Sequence, residues 1–182
     1  MAFTFTRQSI PDLVVIEGKK FADERGFFTE TYKQSEFVEF GITEKFVQDN
    51  YSVSKKGVVR GLHYQLPPFA QGKLVQVLSG KVWDVAVDIR KGSATFGKWL
   101  GLELSASDSR LFYIPAGFAH GFIALEDGTQ FMYKCTAEYN KESEGGIIYN
   151  DADLKIEWPM FDNIEVSDKD LELPSFKEAK HF

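Results

Sequence analysis

Residues 81–105, KVWDVAVDIRKGSATFGKWLGLELS, decide the fold class. Successive side chains of an extended strand point to opposite sides, so Trp83, Val85, Val87 and Ile89 share one face and Asp84, Asp88 and Arg90 the other. Gly92 and Gly97 punctuate the turn into a second strand. The same pattern continues outward on both sides. Residues 57–80, GVVRGLHYQLPPFAQGKLVQVLSG, are short β-favouring pieces broken by Gly and Pro. Residues 111–128, LFYIPAGFAHGFIALEDG, read as an apolar strand, a Pro-Ala-Gly turn, His120 and a second apolar strand. FVQDNYSVS at 46–54 alternates so that Gln48 and Asn50 share a face, and in FMYKCTAEYN at 131–140 Tyr133, Cys135 and Tyr139 have one parity. An unbroken strand there would point both tyrosines to one side. Many short strands with turn signals between them imply an all-β sandwich or barrel.

The flanks fit this frame. Residues 3–21 alternate around Pro11 and Gly18, as short strands at an edge do, and DERGFFTETY at 23–32 places Arg25 and Gly26 in a turn. Phe37 and Phe40 at helical spacing predict one short helix, with Ser35 as N-cap and Gly41 as stop. NIEVSDKDLELPSF at 163–176 predicts a capped helical turn ending before Pro174.

A chain of 182 residues without repeats or a linker predicts one domain, 1–182, with a substantial core, and 17 Phe suit a β sandwich. The formal charge of −6 argues against nucleic acid as a partner, while a local Arg and Lys cluster can still receive an anionic small molecule. Cys135 is the only cysteine, so an intrachain disulfide is excluded and a reducing compartment is expected. The N-terminal MAFTFTRQSIPDL has no apolar core of a signal peptide, and no stretch approaches a membrane span. The expected location is the cytoplasm.

Chemistry concentrates around Arg60, His63 and Lys73. A His able to titrate near neutral pH, beside cations able to hold a developing negative oxygen, suits proton abstraction next to a carbonyl; a barrel strand with one satisfied polar residue reads the same way. Strict alternation puts Arg60 and His63 on opposite faces, unless Gly61 hosts a bulge. Ser167-x-x-Asp170 is a capping-box pattern in its own right. Of the three histidines, His181 belongs to a terminal tail expected to fray, and His63 and His120 without a third ligand make a poor catalytic metal site.

DERGFF, QDN, RGLHYQ, QGKLVQVLSGKVWDVAVDIR, IPAGFAHGF, MYKCTAEYN and VSDKD, in this order over about residues 3–175, resemble the dTDP-4-dehydrorhamnose 3,5-epimerase family. The resemblance implies a cupin-type jelly roll and a homodimer that exchanges N-terminal strands. It further implies epimerisation of C3 and C5 of dTDP-4-dehydro-6-deoxy-D-glucose to dTDP-4-dehydro-L-rhamnose, a precursor of cell-surface polysaccharide. Matched position by position, His63 falls on the general base, Asp170 on the carboxylate that orients it, and Tyr133 on the general acid. Tyr139 falls on the aromatic that stacks on thymine. Arg25, Glu30, Gln48, Asp49, Asn50, Arg60, Lys73, His120, Glu144 and Lys169 fall on substrate-contacting positions, with Lys73 the natural partner for the enolate oxygen. Gly145-Gly146 departs from the Arg that many relatives carry there, which weakens the expectation for Glu144. The motifs and the short ligand count together predict an enzyme with no cofactor and no metal. The alternatives are an epimerase acting at C3 or C5 only, a 3,4-ketoisomerase, a metal-dependent cupin oxygenase, and a non-catalytic sugar-nucleotide-binding module.

Overall fold

The computed structural model describes residues 2–182. In chain order the strands are β1 (Phe3–Arg7), β2 (Val14–Gly18), β3 (Lys20–Asp23), β4 (Gly26–Thr29), β5 (Gln48–Ser54), β6 (Val58–Gln65) and β7 (Lys73–Ser79). They continue with β8 (Lys81–Asp88), β9 (Trp99–Ser105), β10 (Arg110–Ile114), β11 (Phe118–Ala124), β12 (Thr129–Cys135), β13 (Glu144–Gly146) and β14 (Glu165–Val166). Two short α-helices, α1 (Gln34–Phe40) and α2 (Asp168–Leu171), complete the set. One sheet has the order β1-β2-β10-β7-β12-β5 and the facing sheet β13-β6-β11-β8-β9, with β14 alongside β6; β3 and β4 form a separate hairpin. The strand spacing predicts the sandwich, and the architecture is the cupin-like jelly roll that the family resemblance implies.

Apolar side chains are buried on both sides of each sheet. Between the sheets, Val75, Phe112 and Phe131 of one meet Ala86, Leu104 and Phe122 of the other. The outer face of the second sheet, with Leu62, Val85 and Val87, is covered by the C-terminal segment through Ile147, Leu154 and Phe176. The outer face of the first, with Val14, Ile16 and Leu74, lies under Phe37 of α1 and Ile42. Each fully buried side chain of this size adds about 1.5–3 kcal/mol relative to leaving it in water.

This double covering reaches residues 81–105: their alternation is real, and Asp84 and Asp88 on its polar face are both fully buried. Asp84 lies on the side of β8 that carries Val82 and Ala86 into the space between the sheets, whereas Val85 and Val87 face the C-terminal cover. Helix α1 ends at Gly41 in the left-handed conformation, φ 109°, as expected, but its N-cap is Lys33, without a side-chain cap, and not Ser35. The C-terminal tail is docked, not frayed: the Phe182 amide donates to the Ile89 carbonyl at 2.9 Å, and the His181 ring packs against Phe96 and Phe176. No helix among the described residues is long and apolar enough to cross a membrane.

Candidate active site

A cavity of about 300 Å³ opens between the sheets, with His63, His120 and Arg60 on one wall and Lys73, Tyr133 and Asn50 on the other. The local cause is a bulge. His63 pairs with His120 and Arg60 with Phe122, so two residues of β6 intervene where β11 has one. Gly61, at φ 118°, absorbs the extra residue, in a region where an L side chain is strained. The bulge re-aims the strand so that Arg60 and His63 line one cavity, which resolves the conflict set by strict alternation.

Helix α2 brings a carboxylate to His63. The Ser167 hydroxyl caps the helix by accepting from the Asp170 amide at 3.2 Å, while the Asp170 carboxyl leaves the cap and holds His63 Nε2 at 2.7 Å. Its second oxygen accepts from the buried Gly61 amide at 3.1 Å, tying α2 to the bulge. Of the capping-box pattern, the Ser167 half forms, while the Asp170 carboxyl is turned to His63 and Gly61 and not back to the Ser167 amide. Burial alone would raise the Asp170 pKa; the His63 hydrogen bond and charge, with the Gly61 amide, outweigh it and hold the carboxyl below its ordinary value.

Lys73 is almost wholly buried and donates from Nζ to the His63 carbonyl at 3.3 Å. Burial pulls its pKa down, against the upward pull of Cys135 and Asp84. The Lys73 ammonium lies 5.7 Å from the centre of the Tyr133 ring. Burial raises the Tyr133 phenol, aided by Cys135 and opposed by Asn50 and Arg60. His120 Nε2 meets both oxygens of Asp84, at 3.0 and 2.9 Å. Burial, together with the charges of Lys73 and His63, lowers the His120 pKa against the upward pull of Asp84.

A second space, sharing His63, Asn50, Lys73 and Tyr133 with the first, extends to Gln48, Tyr139 and Glu144. Gln48 donates to Asn50 Oδ1 at 3.0 Å and accepts from the Tyr139 amide at 2.8 Å, as their shared parity predicts. Glu144 accepts from the Tyr139 hydroxyl at 3.1 Å and from Lys169 Nζ at 2.8 Å, so it stands at the site despite the Gly145-Gly146 departure. Strand β12 ends at Cys135, so Tyr139 reaches this space from the following loop and not by strand parity.

Three expected residues are not brought to the cavity within one chain. Arg25 is 87 % exposed on the β3–β4 hairpin and pairs with Asp23 at 2.6 Å, and Glu30 follows that hairpin. Asp49 alternates to the opposite face from Gln48 and Asn50 and bonds Lys134 Nζ at 3.0 Å. Asp84 was missed by the sequence reading; its signal was a charged residue inside the apolar run VWDVAV. Among the described residues no group of three or more His, Cys, Asp or Glu is arranged to hold a metal ion.

Comparison with known proteins identifies the lineage. The family model for dTDP-4-dehydrorhamnose 3,5-epimerase matches residues 7–178. The Shigella flexneri dTDP-4-dehydrorhamnose 3,5-epimerase is 52 % identical over 177 residues, covering 97 % of each chain. The crystal structure of the Elizabethkingia anophelis dTDP-4-dehydrorhamnose 3,5-epimerase superposes with a TM-score of 0.95 at 47 % identity, covering 100 % of both chains. That of the Legionella pneumophila dTDP-6-deoxy-D-glucose-3,5-epimerase, in complex with dTDP-4-keto-L-rhamnose, gives 0.93 at 49 % identity, covering 97 % of this chain and 94 % of the other. With a family model spanning nearly its whole length and relatives at about half identity, this chain belongs to the dTDP-4-dehydrorhamnose 3,5-epimerase family.

Proposed function

We propose that the chain epimerises C3 and C5 of dTDP-4-dehydro-6-deoxy-D-glucose to give dTDP-4-dehydro-L-rhamnose, by proton abstraction next to the C4 ketone. The observation that carries the reading is the opposition of His63 and Tyr133 across one cavity: His63 stands on β6 of one sheet and Tyr133 on β12 of the other. A sugar between them meets a base on one face and a proton donor on the opposite face, which is what inversion of a carbon requires. His63 takes the proton, and Asp170 fixes its tautomer and stabilises the imidazolium that forms. The electron pair moves to the ketone oxygen, where Lys73 balances the charge; a preset donor of this kind contributes about 10²–10³ in rate. Tyr133 then delivers a proton to the carbon from the far side, and proton exchange resets both groups. No electrons are gained or lost, so the reaction calls for no redox cofactor.

Tyr139, Gln48 and Asn50 form the end of the site that suits a pyrimidine base, by stacking and amide hydrogen bonds. Arg60 and Lys169 supply positive charge for the diphosphate. Arg25 and Glu30 join the site in trans, within a homodimer that exchanges the N-terminal hairpin; Phe21, Phe27 and Phe28, exposed on that hairpin, support this. The protein acts as one domain, residues 1–182, in the cytoplasm. The test is proton NMR of dTDP-4-keto-6-deoxyglucose with the enzyme in D₂O, with and without chelator. Deuterium entry at C3 and C5, unaffected by chelator, with appearance of the L-sugar, is expected. Entry at one carbon makes it a mono-epimerase, chelator sensitivity a metal enzyme, and no entry a binding module.

A further inference from the structure

Two His–Asp pairs share the cavity, and the reaction above uses only one. His120 and Asp84 lie on neighbouring strands β11 and β8, with Asp84 fully buried and the His120 side chain 5 % exposed. Asp84 directs both carboxylate oxygens at His120 Nε2, at 3.0 and 2.9 Å. An ionised carboxylate only accepts hydrogen bonds, so this arrangement puts the ring proton on Nε2 and leaves Nδ1 as a bare lone pair. Nδ1 has no partner among the described residues and is not among the buried atoms left unpartnered, Ser52 Oγ, Trp83 Nε1 and His181 Nε2. It opens onto the cavity, which His120 lines beside Lys73 and Tyr133.

We propose that Asp84 is a positioning residue that holds His120 as a neutral, obligate hydrogen-bond acceptor, so that Nδ1 selects a hydroxyl group of the sugar and leaves the enolate oxygen to Lys73. This rests on the proposed epimerase reading and deepens it by assigning a division of labour. The site contains donors in plenty, namely Lys73, Arg60, Lys169 and the Tyr133 hydroxyl, and a ketone oxygen that gains charge needs donors. A sugar hydroxyl donates, and a second protonated imidazole near Lys73 would set like charge against that ammonium across the cavity. Burial of His120 acts in the same direction, because it disfavours the imidazolium.

The test begins on the unsubstituted protein. Nitrogen-15 NMR of histidine-labelled enzyme, with His120 assigned by its loss in His120→Gln, is expected to show Nε2 protonated and Nδ1 unprotonated at neutral pH. The opposite tautomer, or an imidazolium, overturns the proposal, and neither result depends on turnover. In Asp84→Asn an amide N–H can donate to Nε2 and drive the ring proton to Nδ1. The expected result is a switched tautomer and a roughly 10- to 100-fold loss in kcat/KM carried mainly by KM, since a hydroxyl then faces a donor. A switched tautomer with unchanged KM also overturns the proposal. Asp84→Asn made in the His120→Gln background should add little further loss; a full further loss would mean that Asp84 acts through Lys73. If the unsubstituted enzyme has no epimerase activity but shows the expected tautomer, the epimerase reading fails while the ring assignment stands.

Discussion

Replacing Asp170 with Asn separates catalysis from stability at the base. The carboxyl makes two hydrogen bonds, one oxygen to His63 Nε2 at 2.7 Å and the other to the Gly61 amide at 3.1 Å. An asparagine in the same place satisfies the Gly61 N–H only with its carbonyl oxygen, and this turns its NH₂ group toward His63. The NH₂ donates, so Nε2 must present a lone pair and the ring proton moves to Nδ1, the nitrogen left for the substrate. A base that presents a proton abstracts nothing, so the loss should approach the whole contribution of a positioned general base, about 10²–10⁴ in kcat. Both hydrogen bonds survive, the one from the Gly61 amide in its original direction and the one to His63 reversed, and the Ser167 cap uses only the Asp170 backbone amide, so Tm should move little. Asp170→Ala behaves differently. It also leaves the buried Gly61 N–H unpartnered, at about 1–3 kcal/mol, which for a chain of this size lowers Tm by roughly 2–12 °C. The assay is the initial rate of deuterium entry at C3 and C5 read by NMR, alongside thermal melts. An Asp170→Asn enzyme within threefold of the unsubstituted rate would refute the assignment of Asp170 to His63 and reduce the residue to its place in the helix cap.

Four further outcomes are expected. Tyr133→Phe should keep deuterium exchange measurable while lowering product formation about 10²-fold or more, and unchanged product formation in coupled assays would remove the phenol from the mechanism. Lys73→Met keeps the volume and removes a buried charge, so Tm should hold or rise while kcat falls at least about 10²-fold; a lower Tm with normal kcat contradicts the oxyanion role. Gly61→Ala puts a Cβ 2.7 Å from Gly121 Cα and from the His120 carbonyl at φ 118°, so melts should show a loss above about 2 kcal/mol, and a neutral substitution would contradict the bulge geometry. Burial holds His120 below its ordinary 6.5, so the unfolded chain takes that proton first: its contribution to stability is complete above about pH 6.5 and is lost as pH falls. Tm against pH from 8 to 5 should therefore fall less steeply in His120→Asn, with His181, also lowered by burial, leaving a residual slope; identical slopes would count against it.

The sequence was most legible where local rules and tertiary structure agree. Gly41 stops α1, Ser167 caps α2, and Gln48 and Asn50 share a face, because each depends only on backbone geometry within a few residues. Reading failed where a second layer decides. Asp84 and Asp88 sit at polar positions by alternation, yet the facing sheet takes the Asp84 side of β8 inward while the C-terminal segment covers the other side, and no periodicity within residues 81–105 reports either layer. His181 was assigned to a loose tail because the hydrogen bonds that dock the tail run to Ile89 and Lys91, about ninety residues away in sequence. Arg60 and His63 could be placed in one cavity only once the register of β11 against β6 was known, though Gly61 marked where the change would occur. Arg25 and Glu30 are legible as motif residues but lie outside the cavity of a single chain, which places their proposed role at the level of assembly.

The two histidines show how one fold gives the same side chain different work. His63 and His120 are direct partners across the β6–β11 ladder, each with its own aspartate, so hydrogen bonding alone does not separate the proposed base from the proposed acceptor. Exposure does. The His63 side chain is 35 % exposed and that of His120 is 5 %. A general base must become an imidazolium during turnover, and the cost of that charge falls where solvent and a carboxylate can both answer it. At His63 Asp170 answers from one side and the open cavity from the other. At His120 the surroundings are the Phe131 ring, 6.2 Å away and nearly parallel, and the Tyr133 ring at 6.5 Å. Charging that ring costs more than Asp84 returns, as its lowered pKa records. The bulge at Gly61 therefore does more than turn a side chain: it sets one imidazole at the mouth of the cavity and keeps its partner in the wall. The division of labour follows from that difference in depth.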